Sequence, residues 1–128
     1  MSAGIASGQP GGHLSPRERM ALREFLHRLQ TRYTQEVEQV TLFGSKARGD
    51  DEPGSDLDVL VVVSQHRRMI WHDVVNWETE LLLRYGTVIS SLIMGHENYE
   101  WHRVHRAPLY RNIEREGIDL WTKTPASS

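Results

Sequence analysis

Asp56 and Asp58 bracket the first residue of the run Leu57–Val63, whose β-branched and apolar side chains read as a strand. Along a strand, side chains two apart share a face, so the two carboxylates point the same way. Beyond them both faces are apolar, Leu60 and Val62 on one and Val59 and Val61 on the other, the pattern of a central buried strand. Charged groups at the mouth of such a strand are costly unless a cation holds them. Upstream, Val40 and Leu42 mark another strand, followed by Gly44-Ser45-Lys46-Ala47-Arg48-Gly49 and a turn carrying Pro53 and Gly54. Gly44 lets an anion approach the backbone, and Ser45 offers a hydroxyl and could cap a short helix starting near Lys46. Lys46 and Arg48 add positive charge where helix N–H groups already favour anions. A triphosphate on Gly44, Ser45, Lys46 and Arg48 could share Mg2+ with Asp56 and Asp58, because magnesium prefers oxygen donors.

The elements that must position these residues follow from periodicity. Ser15-Pro16-Arg17-Glu18 opens a helix, with Ser15 as N-cap, Pro16 at the first position and Glu18 completing a capping box. Leu22, Phe25, Leu26, Leu29 and Tyr33 recur at helical spacing and form its packing stripe. After the strand ending at Val63, a polar link leads to a second helix over about residues 69–85, with Ile70, Val74, Trp77 and Leu81 on one face and Gly86 closing it. Residues 87–94 read as a third strand. Short helices are expected over 96–103 and 108–116, the latter opened by Pro108 and ended by Gly117, and Ile118 to Trp121 as a short edge strand. Alternating strands and helices predict an α/β fold, a sheet layered with helices.

The chain has 128 residues, formal charge −2 and no cysteine. That length suits one domain, expected over 14–122, with flexible tails expected at 1–13 and 123–128. The charge gives no reason to expect broad attraction to nucleic acid or membrane, and the lack of cysteine excludes disulfides and thiolate metal sites. No apolar run approaches the roughly 20 residues a membrane span needs, and the start lacks the layout of a signal peptide, so a cytoplasmic location is expected.

Gly44-Ser45, ten residues, then Asp56-x-Asp58, with Ala47-Arg48-Gly49 inside and Ser55-Asp56-Leu57-Asp58 at the end, resembles the nucleotidyltransferase signature of the DNA polymerase β superfamily. It is most similar to the minimal nucleotidyltransferases, small proteins that often pair with a helical HEPN-type partner as antitoxin and toxin. The closing stretch YRNIEREGIDLW resembles that family as well. The resemblance implies a small mixed α/β sheet flanked by helices, and transfer of a nucleoside monophosphate from ATP or another NTP to a hydroxyl, releasing pyrophosphate. It also implies two Mg2+ ions, about 4 Å apart in such sites, held by Asp56 and Asp58 as the catalytic and metal-binding pair. A protein acceptor is favoured, with adenylylation foremost; RNA and small molecules remain open as acceptors.

Members of the family usually carry a third acid on the later strand. Here that strand, residues 87–93, contains neither Asp nor Glu, and Ser90 or Ser91 takes the position, Ser90 being preferred. A hydroxyl is a poorer magnesium ligand than a carboxylate and no base at neutral pH. Glu78, Glu80 or Glu97 could substitute, and His66 or His96 could serve as a base. Two readings therefore stand: a working transferase, or a degenerate antitoxin that binds nucleotide or partner without chemistry.

Other groupings read more simply. His102 and His105, with His96 nearby, invite zinc, but no further ligands are spaced for it, so surface histidines are expected. Trp77 belongs to a core stripe, and packing is also the default for Trp71, Trp101 and Trp121. Arg103, Arg106, Arg111 and Arg115 interleave with Glu100, Glu114 and Glu116, the pattern of a self-paired solvated face.

Overall fold

The computed structural model describes residues 14–49, 55–65 and 68–122. Both expected tails, the turn at Pro53 and Gly54, and His66 lie outside these residues. The element order is α1 (Pro16–Arg32), β1 (Val37–Phe43), α2 (Ser45–Arg48), β2 (Leu57–Val63), α3 (Arg68–Tyr85), β3 (Ile89–Gly95), α4 (His96–Val104), α5 (Pro108–Glu116) and β4 (Ile118–Thr122).

The first helix starts where its capping box requires. Ser15 Oγ accepts from the Glu18 N–H at 3.1 Å, and Glu18 Oε1 accepts from the Ser15 N–H at 2.8 Å. Its stripe of Leu22, Phe25, Leu26 and Leu29 is buried, and Tyr33 caps its end. The sheet is mixed, in the order β3-β2-β1-β4. β1 pairs antiparallel with β2 and β4, whereas β2 and β3 run parallel, joined by α3 as a crossover. The doubly apolar β2 therefore lies inside the sheet, as its pattern demanded.

Its two faces serve two cores. Leu57, Val59, Val61 and Val63 pack with α1 and α3, while Leu60 and Val62 pack with Met94, Tyr99 of α4 and Ile113 of α5. A bulge between Val37 and Gln39 flips the alternation of β1, so Val37 joins the same core as Val40 and Leu42. Sheet burial on both sides makes three layers.

Three local expectations change. β3 begins at Ile89 rather than Thr87; Thr87 and Val88 precede it, and the Val88 carbonyl accepts from the Leu57 N–H at 2.9 Å. Glycine rather than serine caps α2, since Gly44 occupies the cap position, Ser45 is the first helical residue, and no side chain caps the helix. Trp71 and Trp101 are 48% and 53% exposed, so they do not finish a core; Trp101 instead stacks on His105 with ring centroids 4.4 Å apart. Trp77 meets Phe25 edge-on and packs against the main core, as does Trp121.

Candidate active site

The Gly44-Ser45 turn is set by the end of β1. Phe43 pairs with Asp58 across the antiparallel ladder, and the chain then turns at Gly44 with φ +80° and ψ −160°. Only glycine adopts that region without strain. The turn also crosses so near β2 that a Cβ on Gly44 would overlap Asp58 Oδ2, with Asp58 Cγ at 3.2 Å. The Gly44 carbonyl then accepts from the N–H groups of Ala47 and Arg48, both at 3.1 Å, which starts α2; Gly49, at φ +84°, ends it by donating to the Ser45 carbonyl at 2.8 Å. The Gly-Ser turn and the Asp pair are thereby brought to one corner of the sheet.

Asp58 is partly buried and Asp56, just before β2, is exposed. Burial, followed by repulsion from the Asp56 charge, raises the proton affinity of Asp58, while Arg48 opposes the rise. Asp58 thus senses the charge of Asp56, and a cation beside both would offset that repulsion and the burial. As donors they are hard oxygens, of the kind that suits Mg2+.

Arg48 remains at the site, its guanidinium charge acting on Asp58 and its Nη1 2.7 Å from Glu116 Oε1. Lys46 does not behave as expected. Its ammonium is buried, 2.6 Å from Glu18 Oε2, so its charge is neutralised from α1 instead of standing open to phosphate. The physical reason is the pitch of α2, which turns a residue one position after Ser45 inward onto the N-terminus of α1. Glu18 therefore closes a capping box with one oxygen and binds Lys46 with the other; only the first role shows in the sequence.

The parallel register decides which serine faces the carboxylates. Asp58 pairs with Ser90, and Ser91 pairs with Val59, on the face covered by α1 and α3. There the Ser91 N–H and hydroxyl both donate to Glu78, whose own proton affinity is raised by burial. Glu78 thus lies on the opposite face of the sheet from Asp58 and cannot replace a third acid. Glu80 pairs with Arg28 of α1. Glu97 and His96 follow Gly95, which pairs with Val63 at the far end of β2, and His96 Nδ1 lies 2.8 Å from Glu38. None of these three reaches Asp58.

His102 and His105 each donate through Nδ1 to a carbonyl of their own helix, those of Asn98 and Trp101. Arg103 pairs with Glu100, Arg106 with Glu114 and Arg115 with Glu116 Oε2, as the interleaved charges suggested, while the other Glu116 oxygen reaches Arg48.

A corner where a Gly-Ser turn closes over two carboxylates on a mixed sheet defines a class, the nucleotidyltransferase domain. The family model of that description matches residues 22–124, and the chain belongs to this family, among its minimal members. A Methanocaldococcus jannaschii relative, named as a candidate protein adenylyltransferase, is 35% identical over 104 residues, covering 81% of this chain and 98% of its own. A solved structure described as a candidate minimal nucleotidyltransferase is 28% identical, with TM-score 0.50 over 84% of this chain and 98% of that one. A candidate nucleotidyltransferase from Sulfolobus solfataricus shares the fold, with TM-score 0.51 at 20% identity and 94% of each chain covered. Among the described residues, no helix is long and apolar enough to cross a membrane.

Proposed function

We propose that this transferase moves AMP from Mg-ATP to a hydroxyl of a protein partner, releasing pyrophosphate, as the antitoxin of a pair with a HEPN-type protein. The observation that carries the reading is the closure of Gly44 over Asp58 beside Asp56. The name of the M. jannaschii relative supports a protein acceptor, and the resemblance of the motif supports the HEPN-type partner.

Asp56 and Asp58 would hold Mg2+, which would offset charge on the reacting phosphates. The Gly44 turn and the Ser45 hydroxyl seat the triphosphate, with Arg48 beside them. The acceptor oxygen attacks the α-phosphorus, the bond to the bridging oxygen breaks, and that oxygen leaves with pyrophosphate. The acceptor proton passes to solvent, since Ser90 is no base at neutral pH; a loose phosphoryl-transfer transition state asks for little prior deprotonation. Most of the rate would come from positioning and electrostatics.

A second reading, a binder that holds nucleotide or partner without turnover, is favoured by one observation: a hydroxyl stands opposite Asp58 where a third carboxylate would complete the site. Incubation with α-labelled ATP, magnesium and the partner encoded beside it separates the two. Label on the partner that vanishes with Asp58→Ala supports transfer. Tight partner binding with no label from any NTP supports the binder.

A further inference from the structure

Glu116 reaches the phosphate turn from the opposite end of the chain. It is the last residue of α5, its side chain is 15% exposed, and Oε1 lies 2.7 Å from Arg48 Nη1. Its backbone is fixed by close packing. At Gly117 an added Cβ would stand 2.8 Å from Thr41 Cγ2 of β1 and 2.5 Å from the Ile113 carbonyl, and the Gly117 N–H donates to that carbonyl at 2.8 Å. The next residue, Ile118, pairs with Leu42, one position before the Phe43–Asp58 pair. One strand therefore carries the anchor of Glu116 on one edge and Asp58 on the other.

We infer that Glu116 is a positioning residue, holding the Arg48 guanidinium beside the Gly44–Ser45 turn so that it meets the polyphosphate of a bound nucleotide. The inference rests on the nucleotide-site reading above. A guanidinium presents its five donors in one rigid plane, so a carboxylate on one edge fixes the direction of the others. An unrestrained arginine would have to lose its side-chain freedom on meeting phosphate. Glu116 is also more enclosed than the carboxylates on the outer face of α4 and α5, such as Glu114 at 50% exposure, where an ion pair orders little.

The test uses the full chain with Mg2+ and a non-hydrolysable ATP analogue, titrated by calorimetry into wild type, Glu116→Gln, Arg48→Ala and the double variant. 15N relaxation at Arg48 Nε in the free protein is measured alongside. Glu116→Gln should loosen Arg48 and weaken the analogue roughly three- to tenfold, the scale of about half to one decade in Kd. On the Arg48→Ala background the same change should add little, because the effect travels through Arg48. Unaltered Arg48 relaxation, or a Glu116→Gln effect that adds in full to Arg48→Ala, would overturn the inference while leaving the nucleotide site standing. A wild type that takes up no analogue with Mg2+ would overturn the nucleotide reading and this inference together.

Discussion

Ser90 stands directly across from Asp58 on the neighbouring parallel strand. In a parallel pair, residues in register put their side chains on the same face, so a carboxylate at position 90 would join Asp56 and Asp58 without any rearrangement. Ser90 is exposed, on the outer strand of the sheet, and it is Ser91, one residue on, that is bonded on the other face.

Ser90→Asp should therefore raise Mg-dependent transfer of labelled AMP by about tenfold, less than the roughly 10²- to 10⁴-fold of a positioned base because a loose transition state asks for little prior deprotonation. Three carboxylates repel one another in the absence of metal, so the melting temperature without Mg2+ should fall, and added Mg2+ should restore it. A rate unchanged by this substitution would show that a carboxylate at position 90 takes no part in the transfer.

Asp58→Asn should lower transfer by about 10²- to 10³-fold, the scale for removing one fixed electrostatic group. The same change should raise the melting temperature at pH 7. Asp58 binds its proton more tightly in the folded state, so its contribution to stability is greatest below the ordinary carboxyl range near 3.9 and declines as pH rises through its elevated value. Asparagine removes that penalty, and thermal melts at pH 7 check it.

Gly44→Ala should destabilise the protein by about 1–3 kcal/mol for the backbone conformation alone, with further loss from overlap with Asp58. Urea unfolding measures the first. Mg-nucleotide binding should be lost even at temperatures where the variant stays folded, because the turn and Asp58 can no longer close on each other.

Lys46→Met leaves Glu18, 14% exposed, without its buried cation. Breaking such a pair costs about 3–5 kcal/mol when both groups are sealed from water, and a loss toward the lower end is expected in denaturant melts because Glu18 retains some solvent. At temperatures where the variant remains folded, Mg-nucleotide affinity should change by less than about threefold, which on the scale of 1.4 kcal/mol per decade is less than one direct phosphate contact contributes.

His96 carries a pH dependence remote from the chemistry. Its pKa is raised, first by the hydrogen bond to Glu38 and then by that carboxylate's charge. The stabilisation is complete below about 6.5, the ordinary histidine value, and fades as pH rises through the higher folded value. His96→Ala should flatten the dependence of the melting temperature on pH above about 6.5 by a small amount, as befits a half-exposed pair.

The local code of this chain was written in residues close together in sequence. The capping box of Ser15 and Glu18, the doubly apolar Leu57–Val63, the Gly44-Ser45 turn and the spacing to Asp56 and Asp58 each rest on interactions within a few residues, which periodicity and turn chemistry expose. What joined distant segments was decided only by the folded state. The choice of Ser90 over Ser91 depends on a parallel register set across a whole crossover helix, and a one-residue slip would have reversed it. The partners of Lys46 and Arg48, Glu18 and Glu116, come from helices at opposite ends of the chain. Long charged side chains take whichever opposite charge packing brings within reach, and that proximity exists only once the sheet and its helices have assembled.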